Sequence, residues 1–157
     1  MHHTKPCPEE VGLPVLLRHA RYTYGTAMRH ALAEAGYDDI PKNGLYIIGG
    51  LSLDDVRIPL GQLIKEMRIS KQAAGQLIDM LVLRGYLERQ ADPNDRRKLT
   101  VRLTERGRAA AAAQASARER IDAELRARVG EEDIRRTRQT LAALIDIGDQ
   151  NELHDEE

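Results

Sequence analysis

Between Ile69 and Arg108 the chain reads ISKQAAGQLIDMLVLRGYLERQADPNDRRKLTVRLTERGR, with two groups of residues suited to reading a nucleic-acid duplex. Ser70, Lys71, Gln72, Ala73 and Gln76 open a helical pattern. A glutamine amide can pair with an adenine edge, lysine with guanine or a phosphate, and an alanine methyl with a thymine methyl. Ala73 and Gly75 are small enough for close approach, and Gln72 and Gln76 are the expected base contacts. The second group is a loop holding Asp95, Arg96, Arg97 and Lys98. A guanidinium at such a tip suits the minor groove, where a narrowed A·T tract strengthens the attraction. Asp95, two residues from Arg97, is placed to pair with it and fix the loop. Lys65, Arg68, Arg89 and Lys98 are expected phosphate contacts, adding affinity and salt sensitivity rather than sequence information.

The elements around these residues are legible from period and punctuation. Leu60, Leu63, Ile64 and Met67 share one face of a compact helix, Arg68 and Ile69 turn the chain, and Ser70 is a good N-cap for a recognition helix over 70–84. Ala74, Leu77, Ile78, Leu81 and Val82 are its expected buried face, with Arg84 and Gly85 closing it. Two strands follow, at 86–90 and 98–104, the second alternating Leu99, Val101 and Leu103 inward against Lys98, Thr100 and Arg102 outward. The spacing predicts a helix-turn-helix with a β-hairpin wing at 91–98, inside a core at 53–104 that includes a very short strand near 56–58. A helix at 13–35 stopped by Gly36, a glycine-weakened one from Pro41 to Leu51, and helices at 105–129 and 131–150 separated by Gly130 flank this unit. Residues 1–12 read as a loose tail and 151–157 as an acidic one.

Composition narrows the function classes. The net charge of −1 conceals an asymmetry: residues 57–108 carry 12 Lys/Arg against 6 Asp/Glu, and the remainder 12 against 19. Positive charge is concentrated where phosphates would meet it. With no Phe, no Trp and five Tyr, there is little from which to build a base-stacking platform for single strands. The single cysteine, Cys7, gives no internal disulfide framework and fits a reducing cytoplasm. No run approaches the roughly 20 apolar residues of a membrane span. No phosphate-binding glycine loop, metal-ligand cluster or nucleophile–base pair is recognisable, so neither catalysis, a metal nor a cofactor is expected.

The helices at 13–35, 105–129 and 131–150 each have an apolar stripe, and a winged unit of some 60 residues cannot cover all three. A two-fold dimer would bury the stripes and set two recognition helices about 34–36 Å apart, one turn of B-form DNA. The expected fold is therefore mainly α with a small β-hairpin wing, a winged helix-turn-helix with dimerisation helices at 13–36 and 105–150.

The wing DPNDRRKLTVRLTERGR from Asp92 to Arg108, the Gly-Tyr-Leu-Glu-Arg entry at 85–89 and the order of helices over 13–150 resemble the MarR (multiple antibiotic resistance regulator) family. The resemblance implies a homodimeric transcription factor, mostly a repressor, binding a palindromic operator and released by small, often phenolic, ligands or by cysteine oxidation. His19, Tyr22 and Tyr46, each with an apolar body and a polar tip, are the candidate lining of an effector cavity for a small aromatic or anionic ligand. Cys7 lacks a neighbouring base or helix N-terminus to lower its pKa. The competing reading is a winged-helix protein-interaction module without DNA binding, which calls for a neutral or acidic wing; the cationic segment opposes it.

Overall fold

The computed structural model describes residues 8–52, 60–91 and 99–154. A short 3₁₀ turn at Pro8–Glu10 leads into α1 (Leu13–Glu34), followed by α2 (Gly44–Leu51), α3 (Leu60–Glu66) and α4 (Lys71–Leu83). Strands β1 (Leu87–Ala91) and β2 (Leu99–Leu103) come next, and α5 (Glu105–His154) closes the chain. The fold is mainly helical with one two-stranded antiparallel hairpin, in which Leu87 faces Leu103 and Ala91 faces Leu99. The expected strand near 56–58 and the wing tip lie outside the described residues.

Several expected boundaries move. The second helix starts at Gly44 rather than Pro41, because the Pro41 carbonyl accepts from the Gly44 N–H in a preceding turn. Helical geometry continues past 150 to His154, while Gly130 breaks it at φ 82, ψ 166, where two helices were expected. On α1 the structure buries Leu32 and leaves Leu13 61% exposed in the single chain.

By its internal contacts the chain divides after Arg118. In the first unit, Leu45, Ile47 and Ile48 from α2, Leu77 and Leu81 from α4, Leu87 and Leu103 from the hairpin, and Ala110 and Ala111 from α5 form one core with Leu32. Burying a leucine completely, as at Leu81, contributes roughly 1.5–3 kcal/mol. The second unit is helical on both sides of Gly130 and carries ion pairs along its surface, with Glu132 accepting from Arg135 at 2.6 Å and Arg136 at 3.0 Å. The Arg135 hydrogen bond holds the Glu132 carboxyl below its ordinary pKa.

Two helix ends repeat one device. After α1 the Tyr37 N–H reaches the Leu32 carbonyl and the Gly36 N–H that of Ala33; after α4 Tyr86 reaches Leu81 and Gly85 reaches Val82. Gly36 (φ 82) and Gly85 (φ 76) supply the left-handed residue of each Schellman cap. Each cap delivers a tyrosine inward, and the two rings meet edge-on with centroids 6.2 Å apart.

Tyr86, fully buried, donates its hydroxyl hydrogen bond to Asp39 and accepts from Arg106 Nη2 at 3.0 Å. The Arg106 guanidinium lies 4.6 Å from the Tyr86 ring centroid and 5.3 Å from that of Tyr37. The α1–α2 connection, the end of α4 and the start of α5 are thereby tied together. Burial and the bond to Asp39 push the Tyr86 hydroxyl up to about 12, while that same bond lowers the Asp39 carboxyl. Because the folded tyrosine titrates above its unfolded value of about 10, its contribution is complete below that value and lost as pH rises toward about 12. Asp39 acts in the opposite sense, contributing above the ordinary carboxylate range and losing that contribution as pH falls through its depressed value. Tyr86→Phe is expected to cost about 1 kcal/mol at neutral pH and to flatten the alkaline decline in urea-unfolding stability. An alkaline decline unchanged in the variant would show that another group titrates there.

Candidate nucleic-acid interface

Helix α4 has a rigid back and a polar front. Ala74, Leu77 and Leu81 are buried, with Ile78 and Val82 packed beside them at the edge of the core. Lys71, Gln72, Ala73, Gly75 and Gln76 are exposed. The Ser70 hydroxyl accepts from the Ala73 N–H at 3.1 Å, closing the first turn as its residue type led one to expect. Such a cap is worth about 1 kcal/mol and fixes where the following side chains project. The expected recognition helix over 70–84 thus corresponds to α4 with Ser70 and Arg84 as its caps.

The turn from α3 to α4 is made by Arg68 at φ 51, a left-handed conformation that a non-glycine residue adopts at a cost on the order of 1 kcal/mol. Arg68 and Lys65 are both exposed, Lys65 in the last turn of α3. Nothing in the sequence signals the strained turn, because arginine there looks like any surface cation.

Arg89, expected on phosphate, is paired with the Asp79 carboxylate, joining β1 to the exposed face of α4. Arg102 is paired likewise with Glu88 across the hairpin. Both pairs are solvent-exposed, and such pairs are worth little to stability; their effect is to hold guanidinium groups near the hairpin. The wing-tip residues Asp95, Arg96, Arg97 and Lys98 lie outside the described residues.

The hairpin is fastened to α5 through Thr104. Its N–H reaches the Tyr86 carbonyl at 3.1 Å, its hydroxyl donates to the Gly85 carbonyl at 2.5 Å, and that oxygen accepts from the Gly107 N–H at 3.0 Å. A Cβ on Gly107 would lie 2.1 Å from the Tyr86 carbonyl oxygen. This close approach sets the base of the wing against α5.

The three residues proposed for an effector cavity do not converge as a set. Tyr22 and Tyr46 border one groove between α1 and α2, of about 560 Å³. His19 is exposed and borders neither this groove nor its neighbour. That neighbour, about 710 Å³, lies among α1, α2, the α3–α4 turn and α5; Tyr46 borders it with Met67, Arg68 and Gln114. Gln114, 3% exposed, donates to the Leu45 carbonyl at 3.3 Å. Sequence inspection missed Arg18, Arg21, Arg29 and Lys42 around the smaller groove. The helical spacing of Arg18, Arg21 and Arg29 on α1 was available as a signal; the meeting of Arg21 with Tyr46 was not. Among the described residues no group of three or more His, Cys, Asp or Glu could hold a metal, and no helix is long and apolar enough to cross a membrane.

Residues 51–98, the helix-turn-helix and wing segment, match the model of the MarR family. The chain is similar to the Staphylococcus aureus MepR–DNA complex, at 18% identity and a TM-score of 0.68, covering 87% of this chain and 98% of MepR. Escherichia coli MarR in its apo form is similar at 20% identity and TM-score 0.60, covering 85% and 97%. Thermotoga maritima Tm0710, described as a transcriptional regulator, is similar at 22% and 0.55, covering 88% and 94%. No curated protein matches the chain.

Proposed function

We infer, from the match of residues 51–98 to the MarR family model, that the chain is a winged helix-turn-helix transcriptional regulator that binds double-stranded DNA as a homodimer and represses genes near its palindromic operator. The observation that carries this reading is α4: a capped helix with a buried apolar back whose exposed opening turn offers Lys71, Gln72, Ala73 and Gln76. That is the stereochemistry a major groove requires. Similarity to a protein solved on DNA supports the reading, as does the excess of cations over residues 57–108. Arg96 and Arg97 are assigned to the minor groove, Asp95 to bracing the wing, and Lys65, Arg68, Arg89 and Lys98 to phosphates.

The partner in the dimer is argued from uncovered apolar surface. Leu13, Val15 and Leu16 on α1, and Val129, Leu144, Ile145 and Ile147 on α5, are between 36% and 63% exposed in the single chain. Large apolar surface left open in this way marks an association site. Sedimentation at micromolar concentration is expected to give a dimer, and a persistent monomer would remove the two-site geometry.

DNA binding is tested by fluorescence anisotropy on duplexes from the region upstream of the protein's own gene. Gln72→Ala and Gln76→Ala are each expected to weaken specific binding by about 1–3 kcal/mol, roughly 5- to 150-fold, while leaving non-specific affinity unchanged. Failure of the parent protein to bind any duplex at low salt would favour an interaction module instead.

A further inference from the structure

Helix α4 carries a single acidic residue, Asp79, and it stands on the face assigned to DNA. Gln72, Gln76 and Asp79 lie four and three positions apart, which sets them in one exposed stripe opposite the buried Ala74, Leu77 and Leu81. At about 1.5 Å per residue the stripe is about 10.5 Å long, roughly three base-pair steps of about 3.4 Å. A bare carboxylate on such a stripe would be repelled by the phosphates along both edges of a groove. The surrounding segment, residues 57–108, is otherwise suited to attract them, with 12 Lys/Arg against 6 Asp/Glu.

Arg89 answers that charge. From β1 its Nη2 donates to Asp79 Oδ1. The bond engages one of two carboxylate oxygens, and an ionised carboxylate offers about four acceptor sites. The side chains remain 65% exposed at Asp79 and 43% at Arg89, so the pair does little for stability. The Glu88–Arg102 pair has a local reason, because those residues are direct partners in the hairpin register. Asp79 and Arg89 are brought together by the packing of β1 against α4. At Asp79 the Arg89 fork neutralises the carboxylate and restricts its rotamers, so that it can face a phosphate-lined groove in one orientation.

We propose that Asp79 is a specificity-determining residue: its carboxylate accepts from the N4 amino group of a cytosine in the major groove, while Arg89 holds it in place and turns its remaining N–H groups to a flanking phosphate. Cytosine presents only that donor in the major groove; adenine sets an acceptor beside its own donor, and guanine and thymine present acceptors alone. An ionised carboxylate accepts and cannot donate, so it fits cytosine and is repelled by the acceptor edges. Three residues of helix advance about 4.5 Å, which sets the cytosine about one base-pair step beyond the adenine assigned to Gln76. This inference rests on the proposed function and extends its base contacts from two to three.

Selection by the full chain from a duplex pool with a randomised centre, followed by anisotropy on the selected duplex and its single-pair variants, tests the assignment. Each selected half-site is expected to hold a cytosine whose replacement by thymine, with adenine opposite, weakens binding about 5- to 150-fold, or about 1–3 kcal/mol. Asp79→Ala is expected to bind the cytosine and thymine duplexes equally. Asp79→Asn, of the same shape, is expected to lose the cytosine preference and favour adenine at that pair, because an amide matches both groups of the adenine edge. A carboxylate with only a structural role would instead weaken every duplex in parallel. Arg89→Lys, which keeps the charge without the fork, is expected to reduce discrimination at the same pair while preserving the salt response. All three variants are expected to melt with the parent, since both side chains are exposed. A cytosine preference retained by Asp79→Ala, parallel weakening on all duplexes, or a selected half-site without cytosine overturns the assignment and leaves the DNA-binding reading standing. Undiminished discrimination by Arg89→Lys removes Arg89 from its positioning role. A parent that binds no duplex at low salt sinks the proposed function and this inference together.

Discussion

Gly107→Ala is expected to destabilise the protein by about 3 kcal/mol, the upper end of the usual cost of overpacking. For a chain of this length that is a fall in melting temperature of roughly 6–12 °C. The added methyl would sit 2.1 Å from the Tyr86 carbonyl oxygen and 3.0 Å from Leu103 Cδ2. The leucine can rotate; the carbonyl cannot retreat cheaply. It accepts from the Thr104 N–H at 3.1 Å and belongs to a residue whose ring is wholly buried. Relief would require lifting α5 away from β1 and weakening the Thr104 fastening with it. Gly148→Ala is the comparison: its Cβ would meet nothing within 4 Å on an exposed helix, and the change is expected to stabilise by up to about 1 kcal/mol. Parallel thermal and urea unfolding of the two variants measures the difference. Indistinguishable melting of Gly107→Ala and the parent would mean that the helix and strand are not in such close contact.

The affinity for DNA is expected to fall by about 10³-fold or more as salt rises from roughly 50 to 200 mM, the loss anticipated when a dimer displaces counterions from several phosphates per subunit. The physical source is the concentration of cations over residues 57–108, Lys65, Arg68, Arg89 and Lys98 among them. Within this electrostatic binding, Arg97→Ala is expected to weaken operator affinity tenfold or more. A minor-groove guanidinium contributes attraction that a neutral methyl cannot replace. The variant's melting temperature is expected to stay with the parent's, which separates a contact residue from a structural one. Anisotropy titrations over a salt series give both quantities. A flat salt response would contradict the phosphate assignments, and an operator affinity unaffected by the variant would take the wing out of recognition.

The Asp79–Arg89 pair gives the phosphate assignments a structural qualification. Arg89 is held against the exposed face of α4, so its guanidinium reaches a phosphate only while sharing or leaving the Asp79 carboxylate. Lys65 and Lys71 make no ion pair with a carboxylate among the described residues. Their charges are therefore more available to a duplex than that of Arg89.

Local rules in the sequence determined the order of elements, helix α4 with Ser70 at its start and Gly85 at its end, and the hairpin whose Leu87 and Leu103 face each other. These follow from periodicity, capping and left-handed glycine geometry, interactions spanning only a few residues. Tertiary structure alone decided the contacts made across long separations. It brought Asp39 and Arg106 to Tyr86, and Arg21 to Tyr46, 25 positions away. It also set Arg68, at the turn expected there, in a left-handed conformation without a glycine, and assigned Gly107 to the close approach of α5 on the Tyr86 carbonyl. Such contacts depend on how finished helices pack, and the hydrophobic pattern that drives packing is blind to which polar tips it will carry together.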